Sequence, residues 1–256
     1  MKVAVITGAS SGIGKEFVYQ IAKENCFDSI WIIARRKDRL DQIRAELGDC
    51  IRPIALDLTD DQCISEYSSL LKSEHPDVKL LINCSGFGRF GNYQNIPIRD
   101  SVDMIDLNCK SLVHMTELTL PYMSKGASII QLGSLSAFQP VPYLNTYAAS
   151  KAFVLSYTRG LNAELKPRGI KTMAVCPGWV KTEFFDHADK TDPTGVTYYN
   201  KVYSAHDVVS TALKDMRRGK KDVSIHGLRI KLQVFLVKLL PHRLVMRIWM
   251  KQQKHI

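Results

Sequence analysis

Short Val/Ile-rich runs recur along the chain, separated by longer stretches in which apolar residues fall at helical spacing. The runs are Val3 to Thr7, Ser29 to Ala34, Ile51 to Leu56, Lys79 to Asn83, Ala127 to Leu132, Ile170 to Val175 and Asp222 to Ile225. They predict seven strands of a mostly parallel sheet. Between them lie amphipathic patterns such as Ile13-Phe17-Ile21 and a long stretch from about Ser101 to Met123. This alternation implies βαβ units with helices on both sheet faces, a doubly wound α/β fold. The segment 183–203 lacks a clear period and is long for an ordinary connection, which suggests a lid over a site.

With 256 residues, 45% of them apolar, the chain is long enough for one large core and short for two independent ones. A single domain over 1–256 is expected. There is no run of eighteen apolar residues, and Met1-Lys2 lead straight into the first strand pattern without a charged leader, so an intracellular, cytoplasmic protein is expected. The six cysteines, Cys26, Cys50, Cys63, Cys84, Cys109 and Cys176, are dispersed, with no C-x-x-C pair and no histidine placed to complete a zinc site. They are read as mostly buried thiols in a reducing compartment, and no metal is expected.

The net charge of +10 is uneven. From Arg217 to Ile256 there are eleven Lys/Arg and one acidic residue, Asp222, which leaves 24 of each sign before position 217. A neutral body with a basic end points to a local partner such as an acidic surface rather than to nucleic acid.

Candidate chemistry begins at Thr7-Gly8-Ala9-Ser10-Ser11-Gly12-Ile13-Gly14, which follows the first strand and opens the first helix. That is the setting of a dinucleotide-binding turn. Gly8 permits the tight turn, Gly12 lets the backbone approach a pyrophosphate, and Gly14 lets helix and strand pack closely, while the helix N-terminus offers unpaired N–H groups. A glycine-rich turn without a ligand is the alternative. The second strand ends in Ala34-Arg35-Arg36, with alanine where a carboxylate would hold the ribose 2′-hydroxyl of NAD. A 2′-phosphate can sit there on Arg35, so NADP(H) is the expected cofactor. Otherwise Arg35 and Arg36 only begin the charged surface of the next helix.

Several motifs in order then resemble the short-chain dehydrogenase/reductase family. They are Thr7 to Gly14, Asp57, Asn83-Cys84-Ser85-Gly86, Asn108, Ser134, Tyr147-Ala148-Ala149-Ser150-Lys151, and Pro177-Gly178 followed by Thr182. The resemblance runs from the N-terminus to about residue 182, roughly seven-tenths of the chain. It implies a Rossmann-type fold and an oxidoreductase that interconverts a carbonyl and an alcohol. A free tyrosine has a pKa near 10, too high for an efficient base at neutral pH. Lys151 stands four residues after Tyr147, one helical turn along the same face, and can supply the positive charge that stabilises a phenolate.

By resemblance, Lys151 also meets the nicotinamide ribose, Ser134 orients the substrate oxygen and Asn108 helps carry a proton path. The resemblance also brings Ser10, Ser11, Ile13, Arg36, Asn83 and Gly86 to the cofactor, sets Asp57 at the adenine edge and passes Pro177, Gly178 and Thr182 along the carboxamide. Asp57-Leu58-Thr59-Asp60 also reads as a helix-capping turn. The family's usual Asn-Asn-Ala-Gly is Asn83-Cys84-Ser85-Gly86 here, which puts a thiol beside the cofactor, read as a packing residue or a redox sensor. The family often forms dimers or tetramers, so a homo-oligomer is implied.

In the extension 227–256, Leu232, Phe235, Leu236, Leu239 and Leu240 repeat at helical spacing, and Leu244, Val245, Ile248 and Trp249 resume after Pro241, with Lys and Arg interleaved. Two helices follow, too short and too charged to span a bilayer. They are read as lying on an anionic membrane, covering the substrate pocket, forming a dimer contact, or packing as core with a solvated basic face. Phe184, Phe185, Tyr198, Tyr199 and Tyr203 either line an apolar site or pin their loop to the body. A tail that lies on a membrane or covers the pocket would suit a bulky apolar substrate such as a ketosteroid, a long-chain acyl group or another lipid-like carbonyl. A non-catalytic NADP-binding sensor is the alternative, against which Ser134, Tyr147 and Lys151 speak.

Overall fold

The computed structural model describes residues 1–188, 192 and 196–253. Seven parallel strands form one sheet: β1 (Lys2–Thr7), β2 (Ser29–Ala34), β3 (Ile51–Ala55), β4 (Asp77–Asn83), β5 (Ser128–Leu132), β6 (Lys171–Val175) and β9 (Val223–Ser224), in the order β3-β2-β1-β4-β5-β6-β9. The strands β7 (Trp179–Val180) and β8 (Val202–Tyr203) pair apart from it.

The two faces of the sheet are set by alternation within each strand. Ala4 and Ile6 of β1 pack with Ile30 and Ile32 of β2 against α1 (Gly12–Ala22), α2 (Lys37–Leu47) and α8 (Ala205–Arg218), through Phe17, Ile21, Leu40 and Val209. Val3 and Val5, with Trp31 and Ile33, face the other way. They meet α3 (Asp61–Glu74), α5 (Ser111–Thr119) and α6 (Asn145–Leu165), through Tyr67, Leu71, Met115 and Leu161. Because both faces are covered, the central strands read as continuous apolar runs. The strand order reverses between β1 and β4, and the crevice beyond their C-terminal ends is where such sheets bind ligands.

Two elements depart from the sequence expectation. The stretch from Ser101 to Met123 is not one helix: α4 (Ile98–Ile105) gives way to a π-helical turn over Asp106–Lys110, α5 follows, and a 3₁₀ turn at Leu120–Tyr122 ends it. The wide turn carries Asn108 inward, and Pro121, lacking an N–H, cannot continue the α-helix. The segment 183–203 contains the short helix α7 (Phe184–Ala188) and β8. The rest of the lid expectation at 189–191 and 193–195, with Pro193 and Gly195, lies outside the described residues, as does Lys254 of the tail.

The tail forms α9 (Leu228–Leu239) and α10 (His242–Gln252), broken at Pro241. It packs onto the body through Ile230, Val234, Val237 and Val245, all buried. Among the described residues no helix is long and apolar enough to cross a membrane.

Candidate active site

A cleft of about 740 Å³ opens at the switch point, and its floor is the glycine turn. Gly8 has φ +65°, a conformation that side chains disfavour. Gly14 is constrained by space: a Cβ there would stand 2.2 Å from the Gly8 carbonyl oxygen. The start of α1 is thus pressed onto the turn, and its N-terminus is aimed into the cleft. Across the cleft the Thr182 side chain comes within 3.3 Å of where a Cβ on Gly12 would lie. The turn and Thr182 both line the cleft, and this cradle fits a pyrophosphate.

At one end of the cleft the basic residues divide their work. The Arg36 guanidinium donates to Ser10 Oγ at 3.0 Å and Ser11 Oγ at 2.9 Å, and to Glu183 at 3.1 Å. Arg39 donates to the same carboxylate at 2.6 Å. Arg35 is 72% exposed and only loosely paired with Asp57 at 3.7 Å, so its guanidinium is free to turn to an anion. Asp57 Oδ1 accepts from the Thr59 backbone N–H at 3.0 Å and from its hydroxyl at 2.7 Å. The turn 57–60 also caps α3, through Asp60, whose carboxylate accepts from the Gln62 N–H at 2.8 Å. Burial works against ionisation of Asp57, but the Thr59 donors and Arg35 outweigh it and hold the carboxyl below its ordinary pKa.

At the other end, β5 delivers Ser134 and α6 delivers Tyr147 and Lys151. Ser134 caps the 3₁₀ turn Leu135–Phe138, its Oγ accepting from the Ser136 N–H at 3.2 Å and from the Ser136 hydroxyl at 3.0 Å. It also meets the Tyr147 phenol. Burial pushes that phenol up to about 12, with the Ser134 hydrogen bond pulling the other way. Lys151 is 4% exposed. Its Nζ donates to the Leu132 carbonyl at 2.8 Å and lies 5.8 Å from the centre of the Tyr147 ring. Burial lowers its pKa to about 8. The expected lowering of Tyr147 by Lys151 is therefore not what dominates here; desolvation is, and it leaves the phenol protonated at neutral pH.

Asn108, buried in the π turn, bonds to both backbone groups of Phe87, accepting from its N–H at 3.0 Å and donating to its carbonyl at 2.9 Å, and donates to Ser150 Oγ at 3.0 Å. It ties the loop after β4 to α6 beneath Gly86, while standing outside the cleft lining. Two residues expected at the cofactor, Asn83 and Ser10, stand outside the cleft lining. Asn83, expected at the cofactor, turns away from the cleft and donates to Thr116 Oγ1 at 3.1 Å and Gln131 Oε1 at 2.9 Å. A buried amide is held by whichever polar partners the neighbouring elements offer, and here α5 and β5 take the two N–H groups, while the Asn83 Oδ1 has no partner among the described residues. Ser10 likewise spends its hydroxyl on Arg36. Gly8, Ser11, Gly12, Ile13, Gly14, Arg35, Arg36, Asp57, Gly86, Pro177, Gly178 and Thr182 all line the cleft with Ser134, Tyr147 and Lys151. Cys84 lines it too, but burial raises its thiol to about 12, so it stands as a packing thiol.

The space beyond Tyr147 is aromatic. Phe90 is fully buried, with ring centres 6.2 Å from Tyr147, 5.9 Å from Trp179 and 5.8 Å from Phe184. Phe184, Phe185 and Tyr198 line the chamber, whereas Tyr203 belongs to the core and pins its loop. The tail closes the chamber: Trp249 Nε1 donates to the Pro142 carbonyl at 3.0 Å, and Gln233, Trp249 and Gln252 join the lining. Glu183 and Phe90 escaped sequence reasoning, because their partners lie more than fifty residues away and no local pattern announces them.

A sequence model described as short chain dehydrogenase matches residues 2–193. Sulfoacetaldehyde reductase 2 of Chromohalobacter salexigens is 34% identical over 188 residues, covering 71% of this chain and 74% of that protein. The very-long-chain 3-oxoacyl-CoA reductase of Anas platyrhynchos is 31% identical over 267 aligned positions, covering 99% of this chain and 80% of that protein. Among solved structures, a short-chain dehydrogenase from Sphingobium yanoikuyae in complex with NADPH superimposes with a TM-score of 0.80 at 28% identity, covering 96% of this chain and 95% of the other. The chain belongs to the short-chain dehydrogenase family.

Proposed function

We propose that the chain moves a hydride between NADP(H) and the carbonyl or alcohol carbon of a bulky apolar substrate, with Tyr147 donating or accepting the proton. The observation that carries this reading is the meeting of Tyr147, Ser134 and Lys151 in one cleft with the glycine turn. When bound, the nicotinamide supplies or takes up the hydride. The protein's part is to hold the reacting oxygen and move one proton. Ser134 Oγ has a hydrogen to give that oxygen, and the phenol of Tyr147, protonated at neutral pH, is set to donate to it as negative charge develops. The buried ammonium of Lys151, fixed on the Leu132 carbonyl, favours that charge. Arg35, Arg36 and Ser11 suit a 2′-phosphate, and the NADPH complex of the Sphingobium protein agrees with that choice.

The aromatic chamber supports a large apolar substrate, and a relative that reduces very-long-chain 3-oxoacyl-CoA points the same way. NADPH oxidation is expected with ketosteroids, aryl ketones or long-chain 3-oxoacyl thioesters, at a kcat/KM at least about tenfold above that for small hydrophilic aldehydes. NADPH is expected to be used in preference to NADH, and loss of the charged hydrogen bonds in Arg35→Ala or Arg36→Ala to narrow that preference by roughly tenfold. Better use of NADH by the unaltered protein, or a preference for a small polar aldehyde, would overturn the corresponding half of the proposal.

The pH dependence has a definite sign. Lys151, with a pKa lowered to about 8, is charged below that pH and neutral above it, whereas Tyr147 at about 12 stays protonated throughout. Reductive kcat/KM is expected to be level in the neutral range and to fall as pH rises through about 8. A profile flat to pH 10 would separate the Lys151 charge from the reaction.

A further inference from the structure

The helix α9 is apolar on two opposite sides. Ile230, Val234 and Val237 face the body and are buried. On the other side Leu228, Leu232, Phe235, Leu236 and Leu239 stand between 46% and 83% exposed, at positions that repeat every three or four residues and so share one face. In α10, Leu244 and Ile248 continue this outward surface, while Val245 and Trp249 turn inward. A surface helix of a water-soluble protein ordinarily turns charge outward, and a contiguous exposed apolar face marks something that covers it.

The charges flanking this face are all of one sign. From residue 223 to 253 there are six Lys/Arg, namely Arg229, Lys231, Lys238, Arg243, Arg247 and Lys251, and no Asp or Glu. All six are exposed. None meets a carboxylate among the described residues, although the remainder of the protein pairs its cations freely, as at Arg159–Asp222 and Lys221–Asp215. Arg243, Arg247 and Lys251 fall four residues apart, in a stripe beside Leu244 and Ile248.

We propose that the outward face of α9 and α10 docks on an anionic lipid bilayer, with its leucines and Phe235 in the acyl boundary and its cations at the headgroups, except Lys238, whose Nζ lies 5.3 Å from the centre of the Phe138 ring. Helices of 12 and 11 residues are too short to span about 30 Å of hydrocarbon, so they lie in the plane of the interface. Charge complementarity selects this occupant over a second copy of the chain. A two-fold contact sets the same patch against itself, bringing unpaired cations together with no carboxylate to answer them. The inner side of the same helices carries Gln233, Trp249 and Gln252 into the cleft, so docking would leave the substrate chamber one helix away from the lipid. The proposal goes beyond the redox reading and stands without it, since its test reads binding and not turnover.

The test is flotation of the full chain with vesicles of phosphatidylcholine alone and of phosphatidylcholine with phosphatidylglycerol. Binding is expected to the anionic vesicles, at least about tenfold tighter than to the neutral ones and weakened by salt. Arg243→Gln, Arg247→Gln and Lys251→Gln together are expected to weaken it by on the order of a hundredfold. Leu232→Ser, Phe235→Ser and Leu239→Ser together are expected to abolish it with the melting temperature unchanged or raised, because these side chains leave the core untouched. Equal partition onto both vesicles, no flotation, or a dimer that the serine variant dissociates while neither form floats would each overturn the proposal.

Discussion

Replacing Tyr147 by phenylalanine is expected to lower kcat/KM for carbonyl reduction by roughly 10² to 10⁴-fold, the range that a positioned proton donor contributes. The ring stays, and with it the packing against Phe90 and Phe184 at 6.2 and 5.5 Å. Only the hydroxyl goes. Its partner Ser134 keeps its contacts with Ser136, so no buried polar group is orphaned. Stability and NADPH affinity are accordingly expected to change little, and the loss should appear in kcat as well as in kcat/KM, because the proton moves only in the transition state. NADPH oxidation in the variant and the unaltered protein, together with cofactor titration and a thermal melt, checks all three. Unchanged turnover would remove Tyr147 from the proton path.

The second large effect is expected at Gly14. A Cβ there would lie 2.2 Å from the Gly8 oxygen and 2.7 Å from its carbonyl carbon. Both are backbone atoms and cannot swing aside, and Gly8 is itself pressed against the Cys84 backbone, where an added Cβ would come within 2.7 Å. Gly14→Ala must therefore push the start of α1 away from β1. Overpacking of this kind costs about 3 kcal/mol, which for a chain of this size lowers the melting temperature by on the order of 10 °C. The displaced amides should also weaken NADPH binding. Differential scanning calorimetry and cofactor titration report the two effects, and a variant as stable and as tight as the parent would show that the helix start has slack the geometry denies.

The sheet could be read from the chain because each strand carries its own signal: Val3 to Thr7 and Ser29 to Ala34 are buried on both faces by helices that the same periodicity foretells. The edge strand is shorter than its pattern, Val223–Ser224 within Asp222 to Ile225, since past Ser224 β6 has no further residue to pair with. The turn at Gly8 to Gly14 and the pair Tyr147 and Lys151 were legible through local geometry, strand to turn to helix in one case and one helical turn in the other. What escaped was decided across the fold. Which way Asn83 points depends on Thr116 and Gln131, and the partner of Arg36 and Arg39 is Glu183, beyond 140 residues of intervening chain. The tail's pattern was visible as two helices, but an apolar stripe does not say which side it buries. Only the packing of Ile230 and Trp249 distinguishes the side that closes the chamber from the side that faces out.

The hydrogen bond from Lys151 to the Leu132 carbonyl bears on how such a molecule changes over generations. The cation is anchored to main chain at the end of β5, so substitutions around it leave its address intact as long as the strand survives. The chamber is built the other way, from side chains on α7, α9, α10, β7 and the loop at Tyr198, none of which belongs to the seven-stranded sheet. Drift can exchange Phe185 or Gln233 and alter which substrate is preferred, whereas Phe184, packed on the Tyr147 ring at 5.5 Å, touches both the chamber and the proton donor. Selectivity and chemistry are thereby written in different parts of one cleft that meet at the Tyr147 ring.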